Sequence, residues 1–233
     1  MHESASVIRV NSLDLTFAQK PWAFARERRA EIDAWFAARQ RENPALWNGR
    51  VLLLHEYVLA DGIFRGSYLE TDYASLAAWS AWGRPPAAIN DCFAAAAIIS
   101  ADGACLLGVM GAHTINAGRI YFPCGTPDPD DIVGSRVDLD LSARRELKEE
   151  TGLDEAEFTA EPGWTAVFDG TFITHIKVLR SKYNAEFLRA RIVGYLAKER
   201  KPELADIRIV RSAADFDPAM PRFVTAFLQD FWR

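Results

Sequence analysis

The stretch Asp138–Thr151, DLDLSARRELKEET, constrains this chain more than any other. Leu139, Ala143 and Leu147 recur at helical spacing and form an apolar stripe that has to be buried. Asp138 is suited to the N-cap and Gly152 to the position just past the last turn. Each helical residue turns about 100°, so Glu146 and Glu150 lie one turn apart and Glu149 sits beside them. Three carboxylates thus share an arc of roughly 100° on the flank next to the stripe. Left alone they repel one another. A hard divalent cation would relieve that repulsion, and Mg²⁺ favours carboxylate oxygens together with water and phosphate. The alternative is a solvated acidic face in which Lys148 and Arg144 serve as ion-pair partners.

The rest of the chain is read around this helix. Phe93–Ile99 and Ala104–Met110 flank a Ser-Ala-Asp-Gly turn and predict a hairpin, followed by a short strand at Arg119–Phe122. Strands are expected near Thr165–Phe168, His175–Leu179 and Ile207–Val210, and helices over Ala185–Glu199 and Pro221–Phe231. Gly83–Asn90 and Gly125–Val137 read as loops, and the first marks a boundary. Before it, a strand at Val7–Val10, a helix from Trp22 to Glu42 and a second helix from Asp72 to Trp82 are expected. Between the helices, a hairpin is expected around Ala60-Asp61-Gly62. Residues 1–90 are therefore read as an N-terminal α+β extension and residues 91–233 as the main domain. Strands and helices mix without regular βαβ alternation, so the fold class is α+β, or a three-layer α/β/α sandwich on a mixed sheet.

Composition narrows the functional classes. The chain has 233 residues, 49% of them hydrophobic, and a net charge of −5. That supports a real core and argues against nucleic acid as a partner. Cys92, Cys105 and Cys124 are odd in number and lack metal-ligand spacing, which fits a reduced, cytoplasmic setting. No apolar run has signal-peptide or membrane-spanning length, so no membrane partner is expected.

The helix and its entry resemble the Nudix box, G-x5-E-x7-R-E-U-x-E-E-x-G-U, where U is aliphatic. Arg145 to Leu153, R-E-L-K-E-E-T-G-L, matches the second half at every specified position. Phe122-Pro123-Cys124-Gly125 is similar to the family's F/W-P-G-G entry, with Cys124 in place of the first glycine. The first half departs from the pattern. Val137 stands where the early glutamate is expected, next to Asp138, and TPDPDDIVGSRV lengthens the spacer. Asp138 then reads as a cap, and Asp128, Asp130 or Asp131 as loop residues or an extra ligand.

The resemblance implies a Nudix-type fold and hydrolysis of a phosphoanhydride bond with Mg²⁺, for which Mn²⁺ can substitute. The expected substrate is a nucleoside diphosphate linked to another group, with nucleotide sugars among the candidates. The alternatives are a CoA-type diphosphatase and a non-catalytic nucleotide-binding protein; a homodimer is compatible with any of these. The resemblance assigns the metal to Glu146, Glu149 and Glu150, with the Gly125 carbonyl as a further ligand. Arg145 becomes the arginine that orients a glutamate. Apart from the resemblance, the stretch Gly111–Gly118 is rich in small and polar residues and reads equally as a cleft lining or an ordinary loop; His113, Asn116 and the neighbouring Arg119 are the expected substrate contacts. His175, Asp169 and Glu161 are candidates for a general base outside the box, His175 being equally readable as an ordinary strand residue. Trp79, Trp82 and Tyr73 read either as stacking surfaces or as helix packing.

Overall fold

The computed structural model describes residues 5–44 and 46–233. The first four residues of the extension, and residue 45, lie outside the described residues. The fold is α+β and divides into two compact units that are discontinuous in sequence. One comprises Met1–Ser12, Phe93–Gly125 and Leu139–Arg233; the other comprises Leu13–Cys92 and Thr126–Asp138. Within the region read as an extension, the first strand thus belongs to the unit that holds the main sheet. The long spacer after Gly125 belongs to the other.

In the first unit, nine described strands form one sheet. Its main path runs through β1 (Ser6–Val10), β12 (Trp164–Asp169), β13 (Phe172–Ser181), β5 (Asp91–Ile99), β6 (Cys105–Met110) and β14 (Leu204–Val210). The short strands β7 (Ile120–Tyr121), β8 (Cys124–Gly125) and β11 (Phe158–Ala160) pair with β6, β5 and β13. Every residue of β5 is buried, as expected of a strand covered on both faces. Helices α4 (Leu139–Thr151), α5 (Ala185–Leu196) and α6 (Arg222–Phe231) contribute Leu147, Leu188, Ile192, Phe223, Val224 and Phe227 to one core with this sheet. The apolar stripe behaves as its spacing requires: Leu139, Ala143 and Leu147 are all buried.

The other unit is built on a second, five-stranded sheet. The hairpin of β3 (Arg50–Ala60) and β4 (Ile63–Asp72) turns at Asp61-Gly62, both at positive φ, the backbone that suits a two-residue turn. Helix α3 (Tyr73–Ala81) starts at Asp72, whose carboxylate accepts from the Ser75 amide at 3.0 Å. Two expectations are corrected here. The helix read over Trp22–Glu42 is two helices, α1 (Ala23–Glu27) and α2 (Arg29–Glu42), broken at Arg28. The Arg28 guanidinium lies 4.1 Å from the Trp82 ring centroid, and Trp22 turns into a core with Leu53 and Trp79. The second correction concerns strands that were not foreseen. β2 (Ser12–Phe17) pairs with β10 (Arg136–Val137), and β10 pairs with β9 (Ile132–Val133), so the spacer is partly ordered as sheet.

Candidate functional site

The site is assembled on α4 and on the strand that passes over it. Gly152 ends the helix at φ +68, its amide bonded to the Lys148 carbonyl at 2.9 Å, so the last turn carrying Glu149 and Glu150 is fixed. The Tyr195 hydroxyl, from α5, adds a bond to the Glu149 carbonyl at 3.1 Å. β8 crosses close by. A Cβ built on Gly125 would lie 2.4 Å from Glu146 Oε1, so the glycine leaves room for that carboxylate where it now stands.

The three helix glutamates differ sharply in surroundings. Glu149 is exposed, with 62% of its side chain accessible. Glu146 is mostly covered and bonds to Arg145 at 3.1 Å; the same guanidinium nitrogen lies 3.9 Å from Glu149. Glu150 is only 4% exposed, and its Oε2 has no hydrogen-bond partner among the described residues. Burial pushes the Glu150 carboxyl well above the ordinary carboxylate range. The charges of Glu146, Glu203 and Glu149 push the same way, opposed by a bond from the Cys124 amide. Among the described residues no group of three or more His, Cys, Asp or Glu side chains is placed to hold a metal ion as it stands.

Two side chains near this cluster escaped the sequence reading. Glu203 precedes β14, and its carbonyl accepts from the Gly111 amide at 2.8 Å. Partial burial raises its carboxyl; His113 opposes that and Glu149 adds to it. Tyr121 is buried, and its hydroxyl accepts from Asn116 Nδ2 at 3.1 Å. Burial raises the Tyr121 phenol far above its usual range, with the charges of Cys124, Glu150 and Glu203 adding to the effect. For Glu203 the only signal available was topological, because it lies more than fifty residues beyond the helix, whereas Tyr121 directly precedes the Phe122–Gly125 entry.

The substrate candidates divide. Asn116 is tied to Tyr121, and His113 stands beside Glu203, so both belong to the surroundings of the acidic cluster. The Arg119 amide bonds to the Asn116 carbonyl at 2.9 Å, but its exposed side chain makes no polar contact with the glutamates among the described residues.

The base candidates fall elsewhere. His175 is fully buried in β13, opposite Ala166, and burial pushes its imidazole down to about 3. Asp169 pairs with Arg222 at 3.3 Å, and Glu161 with Arg180 at 2.5 Å. Asp128 and Asp131 bracket a tight turn in the other unit. The Asp128 carboxylate accepts from the Asp130 amide at 2.8 Å, and Asp131 accepts from the Asp128 amide at 3.0 Å. Trp79 donates to the Pro85 carbonyl at 2.9 Å and is buried, while Trp82 packs on Phe24 and Trp35, so these rings hold the helices together.

No family model and no curated protein matches the chain. Among solved structures, it is similar to a Nudix hydrolase from M. smegmatis, RenU. The identity is 17% over 60% of this chain and 81% of that one, with a TM-score of 0.38. No helix among the described residues is long and apolar enough to cross a membrane.

Proposed function

We propose that the chain is a Nudix-type hydrolase that cleaves a phosphoanhydride bond of a nucleoside diphosphate derivative with the help of Mg²⁺. One observation carries the reading: the buried Glu150 has a carboxylate oxygen with no hydrogen-bond partner, amid the charges of Glu146, Glu149 and Glu203. Leaving such a group unpaired is costly, and burying it among like charges is costlier. A divalent cation offsets both costs, and a set of oxygen donors suits Mg²⁺ or Mn²⁺. By donor chemistry the residues suit the ion, and holding it would require these carboxylates to draw together from their present positions. Glu146, Glu149 and Glu150 would hold it, with the Gly125 carbonyl as a further donor. When bound, the cation neutralises the charge of the diphosphate and makes nearby water more acidic.

The chain's own residues do the positioning. Arg145 holds Glu146 and reaches toward Glu149, which keeps two carboxylates turned to the same space. Gly125 keeps β8 from filling that space. Asn116 and Tyr121 brace the loop that carries the expected substrate contacts. Water attacks one phosphorus, the bridging P–O bond breaks, and its electron pair leaves on the second phosphate. The proton lost by the water passes to the site and then to solvent. Catalysis of this kind rests on orientation and charge stabilisation.

The test is a panel of nucleotide sugars, dinucleotides and CoA esters, incubated with Mg²⁺ or Mn²⁺ and followed by release of the two phosphate-bearing products. Turnover of at least one diphosphate is expected, and Glu149→Gln should cut the rate about 10²- to 10⁴-fold while the chain stays folded. No turnover across the panel with either ion would leave a binding protein as the better reading.

A further inference from the structure

Gly194 lies within the last turn of α5. Glycine is a poor residue inside a helix, because it gives up more backbone freedom than alanine and packs nothing. Two ordinary reasons to keep one are absent here. Its φ is not positive, so no turn requires it. A Cβ built on it meets no atom within 4 Å, so no close packing requires it. What the missing side chain leaves is open space, and that space belongs to a cleft of about 390 Å³ between α5 and the end of α4. Ala190, Gly194, Leu153 and the Tyr195 ring wall the cleft. The ring is held from two sides. It packs where a Cβ on Gly152 would stand, and its hydroxyl donates to the Glu149 carbonyl at 3.1 Å.

Two cations, Arg191 and Lys198, line the same cleft. Arg191 is occupied: its guanidinium grips the Glu157 carboxylate with bonds of 2.6 and 3.2 Å. Glu199 lies at the Tyr195 hydroxyl. The Lys198 ammonium has no carboxylate partner among the described residues. A cation just past a helix end is favourable on its own account, so Lys198 alone would say little. The glycine beside it has no such explanation. Together they give a cleft of small-ligand size with apolar walls and one uncommitted positive charge. We propose that this cleft binds a small organic anion, whose apolar ring lies against Ala190 and Gly194 and whose one anionic group meets Lys198. An inorganic anion would leave the apolar walls uncovered, and a neutral ring would leave the lysine unused. The site shares no ligand chemistry with the acidic cluster of α4, and it stands or falls apart from the hydrolase reading.

The full chain is titrated with phenyl phosphate, and separately with inorganic phosphate and with phenol, while the backbone amides are followed by NMR. Phenyl phosphate at millimolar concentration should shift the amides of Gly152, Gly194 and Lys198 saturably. Each half alone should bind at least about tenfold more weakly. Lys198→Ala should weaken phenyl phosphate about tenfold and leave phenol unchanged, since only a charge-assisted bond is lost. Gly194→Leu should abolish binding and melt higher than the wild type, because leucine fills the cleft and suits a helix. Gly194→Ala should also melt higher yet keep part of the binding, which separates loss of the site from any loss of fold. Wild-type affinity in Gly194→Leu overturns the inference. So does the absence of a saturable shift at these amides, or a shift confined to Gly125 and the residues around Glu146 and Glu150.

Discussion

Two buried carboxylates, one in each unit, invite comparison. Glu150 and Asp91 are 4% and 8% exposed, and each has an oxygen with no hydrogen-bond partner among the described residues. Burial raises the carboxyl of both, that of Asp91 to about 6. Their neighbours differ. Asp91 is opposed by the positive charge of Arg84, whereas Glu150 is crowded by three further glutamates. Burial alone therefore does not single out a site, because both acids pay it. The distinguishing feature is the accumulation of like charge around a buried group, which either a proton or, on the proposed reading, an added cation relieves.

The sharpest way to break this comparison is to remove the two charges separately. Glu150→Gln should lower turnover about 10³-fold and weaken Mg²⁺ binding, since one donor of the cluster is gone. The same variant without metal should melt higher than the wild type, because a buried negative charge among like charges has been neutralised. Activity assays and thermal melts in the presence of a chelator check both. A variant that melts lower and turns over normally would place Glu150 in a merely structural role.

Asp91→Asn should do the opposite at the site and a related thing to stability. The folded carboxyl titrates near 6 and the unfolded one near its ordinary value of 3.8. Between those values the folded chain binds more protons, so its stability falls as pH rises, and then stays level above about 6. Asn removes that slope. The variant should gain up to about 3 kcal/mol at neutral pH, with the gain vanishing below about pH 4. Urea melts from pH 3.5 to 8 measure it, and turnover should be unchanged. A constant difference across the range would show that Asp91 does not titrate as its burial requires.

Much of this was legible in the sequence where periodicity and burial coincide. The α4 stripe of Leu139, Ala143 and Leu147, the Asp61-Gly62 hairpin and the all-buried β5 follow from local pattern, and the structure forms each of them. The pattern failed where tertiary contacts decide. At Arg28 the helical periodicity continues, yet the helix breaks there, where Arg28 lies over the Trp82 ring and Trp22 enters a core. β9 and β10 are two residues each and exist only through their pairing, which no local signal announces. The site divides in the same way. Glu146, Glu149 and Glu150 share one helix face and could be read from spacing, whereas Glu203 and Tyr121 reach the cluster through strand topology. His175 shows the converse: a titratable residue that looks chemical in sequence is placed in the core, where burial keeps it neutral.

The spacer aspartates give the smallest and most discriminating effect. Asp128 was readable either as an extra ligand or as a loop residue, and the structure gives it a local task. Its carboxylate accepts from the Asp130 amide, while Asp131 returns a bond to the Asp128 amide, so the two close a reciprocal cap on one turn. Losing such a cap costs about 1 kcal/mol. Asp128→Ala should therefore lower stability by about that amount in a urea melt and leave Mn²⁺ affinity unchanged. The contrast with Glu150→Gln matters more than either value, since one acid would then affect the fold and the other the ion. A loss of Mn²⁺ affinity in Asp128→Ala comparable to that of Glu150→Gln would extend the site into the spacer and undo the distinction drawn between acids that cap and acids that bind.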